Sequence, residues 1–207
     1  IKGFTNMTAL SSGGHSVPFS SERDGFVIAE GAGVLVLEEM ERARARGATI
    51  LAEVCGSGST ADAHHITAPA PGGVGAIACM KLALDDGGIS PADVKQINAH
   101  GTSTPLNDAA EAAAVSAVFG DGGVPTVSTK GVTGHALGAA GALEAAAVLL
   151  SMEHRQIPPT ANTKVLGDDI TVDVVMGEPR DWVPGPTLSN NFGFGGHNAS
   201  ILLAPAT

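Results

Sequence analysis

Two histidines, a lysine and a glutamate are the side chains in this sequence best placed for chemistry. His100 lies in Asn98-Ala99-His100-Gly101-Thr102-Ser103-Thr104-Pro105, straight after the apolar stretch Lys95 to Ala99. His135 closes Ser128-Thr129-Lys130-Gly131-Val132-Thr133-Gly134-His135, which follows a second short apolar stretch. Each segment has the order strand, polar turn, helix, and in open α/β sheets ligands bind at such strand ends. Taken alone, the first also reads as a capped turn, its hydroxyls serving a helix N-terminus. Lys130 cannot be buried cheaply without a partner, and Glu144, in the apolar helix that follows, faces the same problem. A Lys130–Glu144 pair answers for both; a surface lysine and a helix-edge glutamate are the alternative.

Two further polar clusters have the same strand-end placement. Phe192-Gly193-Phe194-Gly195-Gly196-His197-Asn198 sets two aromatics between glycines, a flexible turn whose bulky side chains could gate a pocket. Its glycines resemble a dinucleotide loop only superficially, because no helix follows and the spacing is wrong. Asp62-Ala63-His64-His65-Ile66-Thr67 pairs two histidines, but adjacent loop residues rarely ligate one ion and no HxxxH pattern accompanies them.

The elements that must position these residues alternate as in an α/β layer fold. Gly25 to Glu38 reads as a long strand or strand pair with a glycine break. Glu39 to Arg46 reads as a charged helix ended by Gly47, a C′ glycine. Strands follow at Ile50–Gly56, Lys95–Ala99, Thr126–Ser128, Thr187–Asn191 and Ala199–Leu203, with the turn Phe192 to Asn198 joining the last two. Ser57 to Gly73 reads as a loop. Val74–Asp86, Pro105–Phe119 and Gly138–Met152 read as helices, the last apolar on every face and so expected to be fully buried. Ser90-Pro91 opens a short turn of helix with Ser as cap. A boundary is expected at Gly47, dividing residues 1–47 from 48–207.

Bulk composition narrows the classes. Of 207 residues, 43% are hydrophobic and 15% charged, too apolar and too weakly charged for a disordered chain. No apolar run approaches the roughly 20 residues needed to span a bilayer. A formal net charge of −10 argues against a nucleic-acid surface. Cys55 and Cys79 form no CxxC pair and read as small buried apolar groups in a reducing, cytoplasmic setting. Ile1-Lys2-Gly3-Phe4 has neither an initiator Met nor a signal-peptide order, so the chain is expected to begin inside a fold.

Taken in order, ERDGFVIAEGAGVLVLEE (22–39), NAHGTSTPLNDAAE (98–111), STKGVTGHALGAAGALE (128–144) and NNFGFGGHNA (190–199) resemble the β-ketoacyl-[acyl carrier protein] synthases. The likeness is to the type II elongating kind, within the thiolase-like superfamily. It implies a layered α-β-α-β-α fold of which this chain is the C-terminal half plus the end of the N-terminal half. It also implies decarboxylative Claisen condensation, a homodimer, and a phosphopantetheine arm brought by an acyl carrier protein rather than a cofactor of the chain's own.

The resemblance assigns His100 and His135 as catalytic, with Lys130 and Glu144 as the ion pair behind them. It assigns Phe192 and Phe194 to the gate, and Thr102 and Thr104 to the arm, with His65 and Thr67 beside them. Asn98, Ala99, Glu144, Ser189 and Asn190 match positions where some members hold a structural monovalent cation.

Two departures stand out. The family's nucleophilic cysteine lies upstream of every residue here, and neither Cys55 nor Cys79 has its surroundings. Asn107 stands where the family usually has Gly, a change a left-handed backbone would tolerate. In the implied reaction, neutral His100 and His135 donate N–H to the thioester oxygen of a decarboxylating malonyl group. Lys130 discourages their protonation. The alternatives are a cysteine-lacking relative, as malonyl decarboxylase or chain-length partner, and a non-enzymatic acyl- or nucleotide-binding module.

Overall fold

The computed structural model describes residues 1–206. Its strands are β1 (Glu53–Ala61), β2 (Gln96–Asn98), β3 (Pro125–Val127), β4 (Gln156–Ile157), β5 (Asp173–Val174), β6 (Arg180–Asp181), β7 (Thr187–Gly193) and β8 (His197–Ala204). Its helices are α1 (Lys2–Asn6), α2 (Met40–Ala45), α3 (Val74–Gly87), α4 (Pro105–Phe119), α5 (Lys130–Thr133) and α6 (Ala140–His154). Six strands form one mixed sheet in the order β1-β8-β7-β2-β3-β5, and β4 pairs with β6 in a separate ribbon. β7, β2, β3 and β5 run parallel, whereas β1, β8 and β7 form an antiparallel meander-like edge.

Period-two alternation along the strands sorts side chains to two faces. Ile97, Leu188 and Leu202 face α3 and α4, packing with Met80, Ala83, Leu84 and Val115. Leu203 packs on the other face against Ala145, Val148 and Met152 of α6. The sheet therefore carries helices on both faces. α3 lies so close to β1 that a Cβ on Gly58 would stand 2.1 Å from the Cys79 carbonyl oxygen. Glycine there is a packing requirement.

Several expectations need correction. Gly25–Glu38 forms only isolated bridges, at Phe26 with Leu10 and Ile28 with His135. A strand requires a partner ladder, and among the described residues none pairs with 29–39. Val34 and Val36 are each 89% exposed. β1 runs on to Ala61 through the stretch expected to be loop, because Ser57 to Ala61 pairs residue for residue with β8. β8 likewise starts at His197, so the glycine turn shrinks to three residues. α6 is not buried on every side: Leu150 is 53% exposed, since the sheet covers one face of that helix and no described residue covers the other. Asn107 is helical, within α4, and donates through Nδ2 to Asp108 Oδ1 (3.1 Å), so no left-handed backbone is involved.

Candidate active site

β2 and β3 end side by side, next to β7, and the segments leaving β2 and β3 carry His100 and Lys130. Two carboxylates that the sequence reading missed build the first loop. Glu111 accepts the backbone N–H groups of His100 and Gly101, both at 2.8 Å, one on each oxygen. Asp108 accepts those of Thr102 (3.0 Å), Ser103 (3.1 Å) and Phe19 (2.8 Å). Both acids lie on one face of α4, three residues apart, and are fully buried. They satisfy four consecutive amides that would otherwise be unpaired in the interior. Ser103, at φ 68°, is held in a left-handed conformation by this clamp. The available signal was the Asp-Ala-Ala-Glu spacing on an otherwise Ala-rich helix.

Burial pushes the Glu111 carboxyl up to about 7, against the pull of the Gly101 and His100 amides. The folded state then holds a proton that the unfolded chain has released between roughly pH 4.5 and 7. This group's contribution to stability therefore falls as pH rises through that window, by on the order of 3 kcal/mol in all. Glu111→Gln is expected to abolish that slope. Thermal unfolding of variant and wild-type full-length protein across the window checks it; parallel profiles would contradict it.

Lys130 is 1% exposed. Its ammonium pairs with Glu144 and donates to the His100 carbonyl (2.6 Å) and toward His100 Nδ1 (3.4 Å). An ammonium only donates, so Nδ1 of His100 is the acceptor and Nε2 carries the proton. His135 Nδ1 accepts from the Leu137 amide (3.2 Å), which fixes the same tautomer in that ring. The two ring centroids stand 5.3 Å apart at an interplanar angle of 84°. Burial first, then the Lys130 charge, lowers both rings: His135 to about 4, and His100 well below the ordinary histidine value, with His135 itself adding to the shift. Both are neutral N–H donors at physiological pH. Burial raises the Glu144 carboxyl, while Lys130 and Asn191 oppose the shift; Asn191 donates to its second oxygen (2.8 Å).

Both histidines line a cavity of about 840 Å³, together with Thr102, Thr104, Thr67, Phe192 and Phe194. Thr102 and Thr104 share a hydroxyl hydrogen bond (2.9 Å). Phe192 is 6.1 Å from the His100 ring, Phe26 is 5.3 Å from that of His135, and Phe4 lies between Phe26 and Phe194. Phe4 and Phe26 were not singled out in the sequence, because each belongs to a segment with no chemistry of its own. His65 is not part of the lining; its Nδ1 accepts the amides of Thr67 and Ala68 (3.1 Å each) and so shapes the loop. The glycine turn is laced to that loop by Gly195 N–H to Ile66 O (2.8 Å) and by Asn198 Nδ2 to Asp62 Oδ1 (2.7 Å).

Neither cysteine lines the cavity, and burial pushes both thiols up, away from the thiolate. The side chains of the expected cation set do not converge. Asn98 donates to Ser189 (3.1 Å), and both oxygens of Glu144 are engaged by Lys130 and Asn191. Asn190 turns to the opposite face, toward Met80 and Ser200. Alternation along β7 puts Asn191, not Asn190, on the side of Glu144. The polar side chains of the set are thus each engaged within the protein.

The sheet with helices on both faces and its strand-end cavity are those of a thiolase-like fold. The family model described as beta-ketoacyl synthase, C-terminal domain, matches residues 51–164, and that for the N-terminal domain matches residues 1–43. The chain belongs to the beta-ketoacyl synthase family. It is 46% identical over 208 aligned residues to a 3-oxoacyl-[acyl-carrier-protein] synthase 2 of Staphylococcus aureus, covering 98% of this chain and 52% of that protein. A Synechocystis protein of the same name is 46% identical over 90% of this chain and 45% of its own length. The chain thus spans about half the length of the curated relatives it matches.

Among solved structures, a type II polyketide ketosynthase in complex with its acyl-carrier protein superposes with a TM-score of 0.96 at 38% identity. That match covers 100% of this chain and 52% of the other. A Burkholderia phymatum beta-ketoacyl synthase gives 0.94 at 38%, covering 99% and 51%.

Proposed function

We propose that this chain is the C-terminal part of a β-ketoacyl-[acyl carrier protein] synthase that condenses malonyl and acyl thioesters with loss of carbon dioxide. The observation that carries it is the pair of neutral Nε2–H donors, 5.3 Å apart between centroids, lining one cavity with Lys130 and Glu144 behind them. On this reading the N-terminal half of the same synthase supplies the thiolate that holds the acyl group. The arm of an acyl carrier protein enters past Thr67 and lies along Thr102 and Thr104, with Phe194 and Phe192 at the gate.

The malonyl thioester oxygen accepts from both rings. Its carboxylate carbon–carbon bond breaks, carbon dioxide leaves, and the electron pair moves onto that oxygen as an enolate. The enolate carbon then attacks the acyl-cysteine carbonyl, the thiolate leaves, and a β-ketoacyl thioester forms. Burial, reinforced by the Lys130 charge, keeps both rings unprotonated, while the Lys130 bond to the His100 carbonyl and its contact with the ring hold that donor in place. Residues 1–47 close the N-terminal half and 48–207 form the C-terminal half; a homodimer in the cytoplasm, with no cofactor of its own, belongs to the same reading.

Incubating the full-length protein with malonyl- and acyl-loaded carrier protein tests this. Equal amounts of carbon dioxide and β-ketoacyl product are expected. Carbon dioxide without condensation would make it a decarboxylase, and neither product would leave only a binding module.

A further inference from the structure

Lys130 and His135 stand at the two ends of a short segment that begins with α5. That helix is a single turn of four residues, and a helix so short has no stability of its own. Its place is decided by what its backbone touches. His135 is fixed separately: its N–H donates to the Val27 carbonyl (2.7 Å) and its carbonyl accepts from Ala29 (3.0 Å). Lys130, at the other end, is held by side chains that the reaction above does not use.

Two of these hold carbonyls of α5. Ser16, which is buried, donates its hydroxyl to the Lys130 carbonyl (2.6 Å). Asn162 Nδ2 donates to the Gly131 carbonyl (2.7 Å) and toward that of Ser16 (3.3 Å), as the two hydrogens of an amide nitrogen allow. Asn162 stands at φ 67°, in the left-handed region that Asn enters more readily than most residues. The approach is close, for a Cβ on Gly131 would stand 2.3 Å from the Ala161 carbonyl oxygen. The Lys130 N–H has a longer bond, to Ser128 Oγ (3.3 Å).

The segment that begins at Ser16 also reaches the loop that carries His100. Val17 N–H donates to Ser103 Oγ (3.0 Å) and Phe19 N–H to Asp108 (2.8 Å), while Thr163 Oγ1 donates to the Pro18 carbonyl (2.6 Å). Residues 16–19 therefore strap that loop to the turn that carries Lys130. At its far end the Lys130 ammonium meets Glu144 and the His100 carbonyl. Neither Ser16 nor Asn162 lines the cavity, so neither meets a substrate there.

We infer that Ser16 and Asn162 are positioning residues, which fix the carbonyls at the start of α5 and so set where Lys130 carries its ammonium and how His100 is aimed. The inference rests on the reading of the cavity as the thioester site. Because His135 has its own backbone anchors, loosening α5 falls on Lys130, and the effect of either residue passes through that side chain.

Ser16→Ala and Asn162→Gly are made in the full-length synthase, alone and in a background of Lys130→Met combined with Glu144→Leu. Glycine adopts a positive φ without strain, so Asn162→Gly removes the amide and leaves the backbone its conformation. Malonyl decarboxylation is expected to fall about 10–10²-fold in each single variant, as when a change remote from the chemistry misplaces a reacting group by about 1 Å. The loss should lie in kcat rather than KM, and acyl transfer to the thiol should fall less. In the background without Lys130, neither substitution should lower the rate further, because residues that act through one group are not additive. Single variants that decarboxylate like the wild type overturn the inference, as does a loss equal in acyl transfer, or one that persists in full without Lys130. If Ser16→Ala does not fold, Asn162→Gly decides; if the background does not fold, the comparison of decarboxylation with acyl transfer decides. A wild type that releases no carbon dioxide overturns the synthase reading, and this inference with it.

Discussion

Replacing His100 or His135 by Ala in the full-length synthase is expected to lower malonyl decarboxylation by about 10²–10³ for each ring, the usual consequence of removing one pre-aimed donor. The double variant should lose less than the product of the two, because the rings serve one oxygen and act as a unit. Acyl transfer to the thiol should suffer less, since it depends on the thiolate. The electrostatics add a second signature. With His135 at about 4 and His100 well below its ordinary value, both donors stay neutral through the physiological range. Decarboxylation should therefore show no histidine limb near pH 6.5. Radiometric carbon dioxide release against pH checks both; acyl transfer falling in step with decarboxylation, or an acid limb near 6.5, would contradict the donor role.

The second large effect concerns stability. Lys130 and Glu144 are 1% and 2% exposed and paired with each other. Truncating one leaves the other as a lone buried charge, at a cost of about 3–5 kcal/mol. Glu144→Ala is also expected to free the Asn191 amide and loosen the hold of Lys130 on His100. Lys130→Met combined with Glu144→Leu should be markedly less destabilised than either single truncation, because no unpaired charge remains and apolar residues fill the space. Denaturant unfolding of the three full-length variants decides it, and a double variant as unstable as the sum of the singles would argue against the pairing.

Residues that had to be polar where the chain was otherwise apolar were legible in the sequence. His100, His135, Lys130 and Glu144 follow or lie within strands and an Ala-rich helix, so each stood out against its surroundings. Helices α3 and α4 were legible for the same reason, bounded by Gly87-Gly88 and by Pro105.

What stayed hidden was structure made by distant partners. Ser57 to Ala61 has the composition of a loop and becomes strand only because β8 lies beside it. Residues 29–39 have the composition of a strand, yet among the described residues no ladder meets them. Asp108 and Glu111 looked like ordinary helix acids because their partners are backbone amides, which leave no trace in side-chain pattern. Phe26 reaches His135 across more than a hundred residues, and nothing local announces that contact. That Asn191 and not Asn190 meets Glu144 is a matter of one step of strand register, the shift that turns a side chain to the other face.

The most direct measurement is a crystal structure of the full-length synthase carrying a non-hydrolysable malonyl thioester analogue. The account predicts the analogue's carbonyl oxygen within hydrogen-bonding distance, about 2.7–3.2 Å, of Nε2 of both His100 and His135, with its arm along Thr102 and Thr104. An oxygen bound by other groups, with either ring turned away or occupied elsewhere, would contradict it.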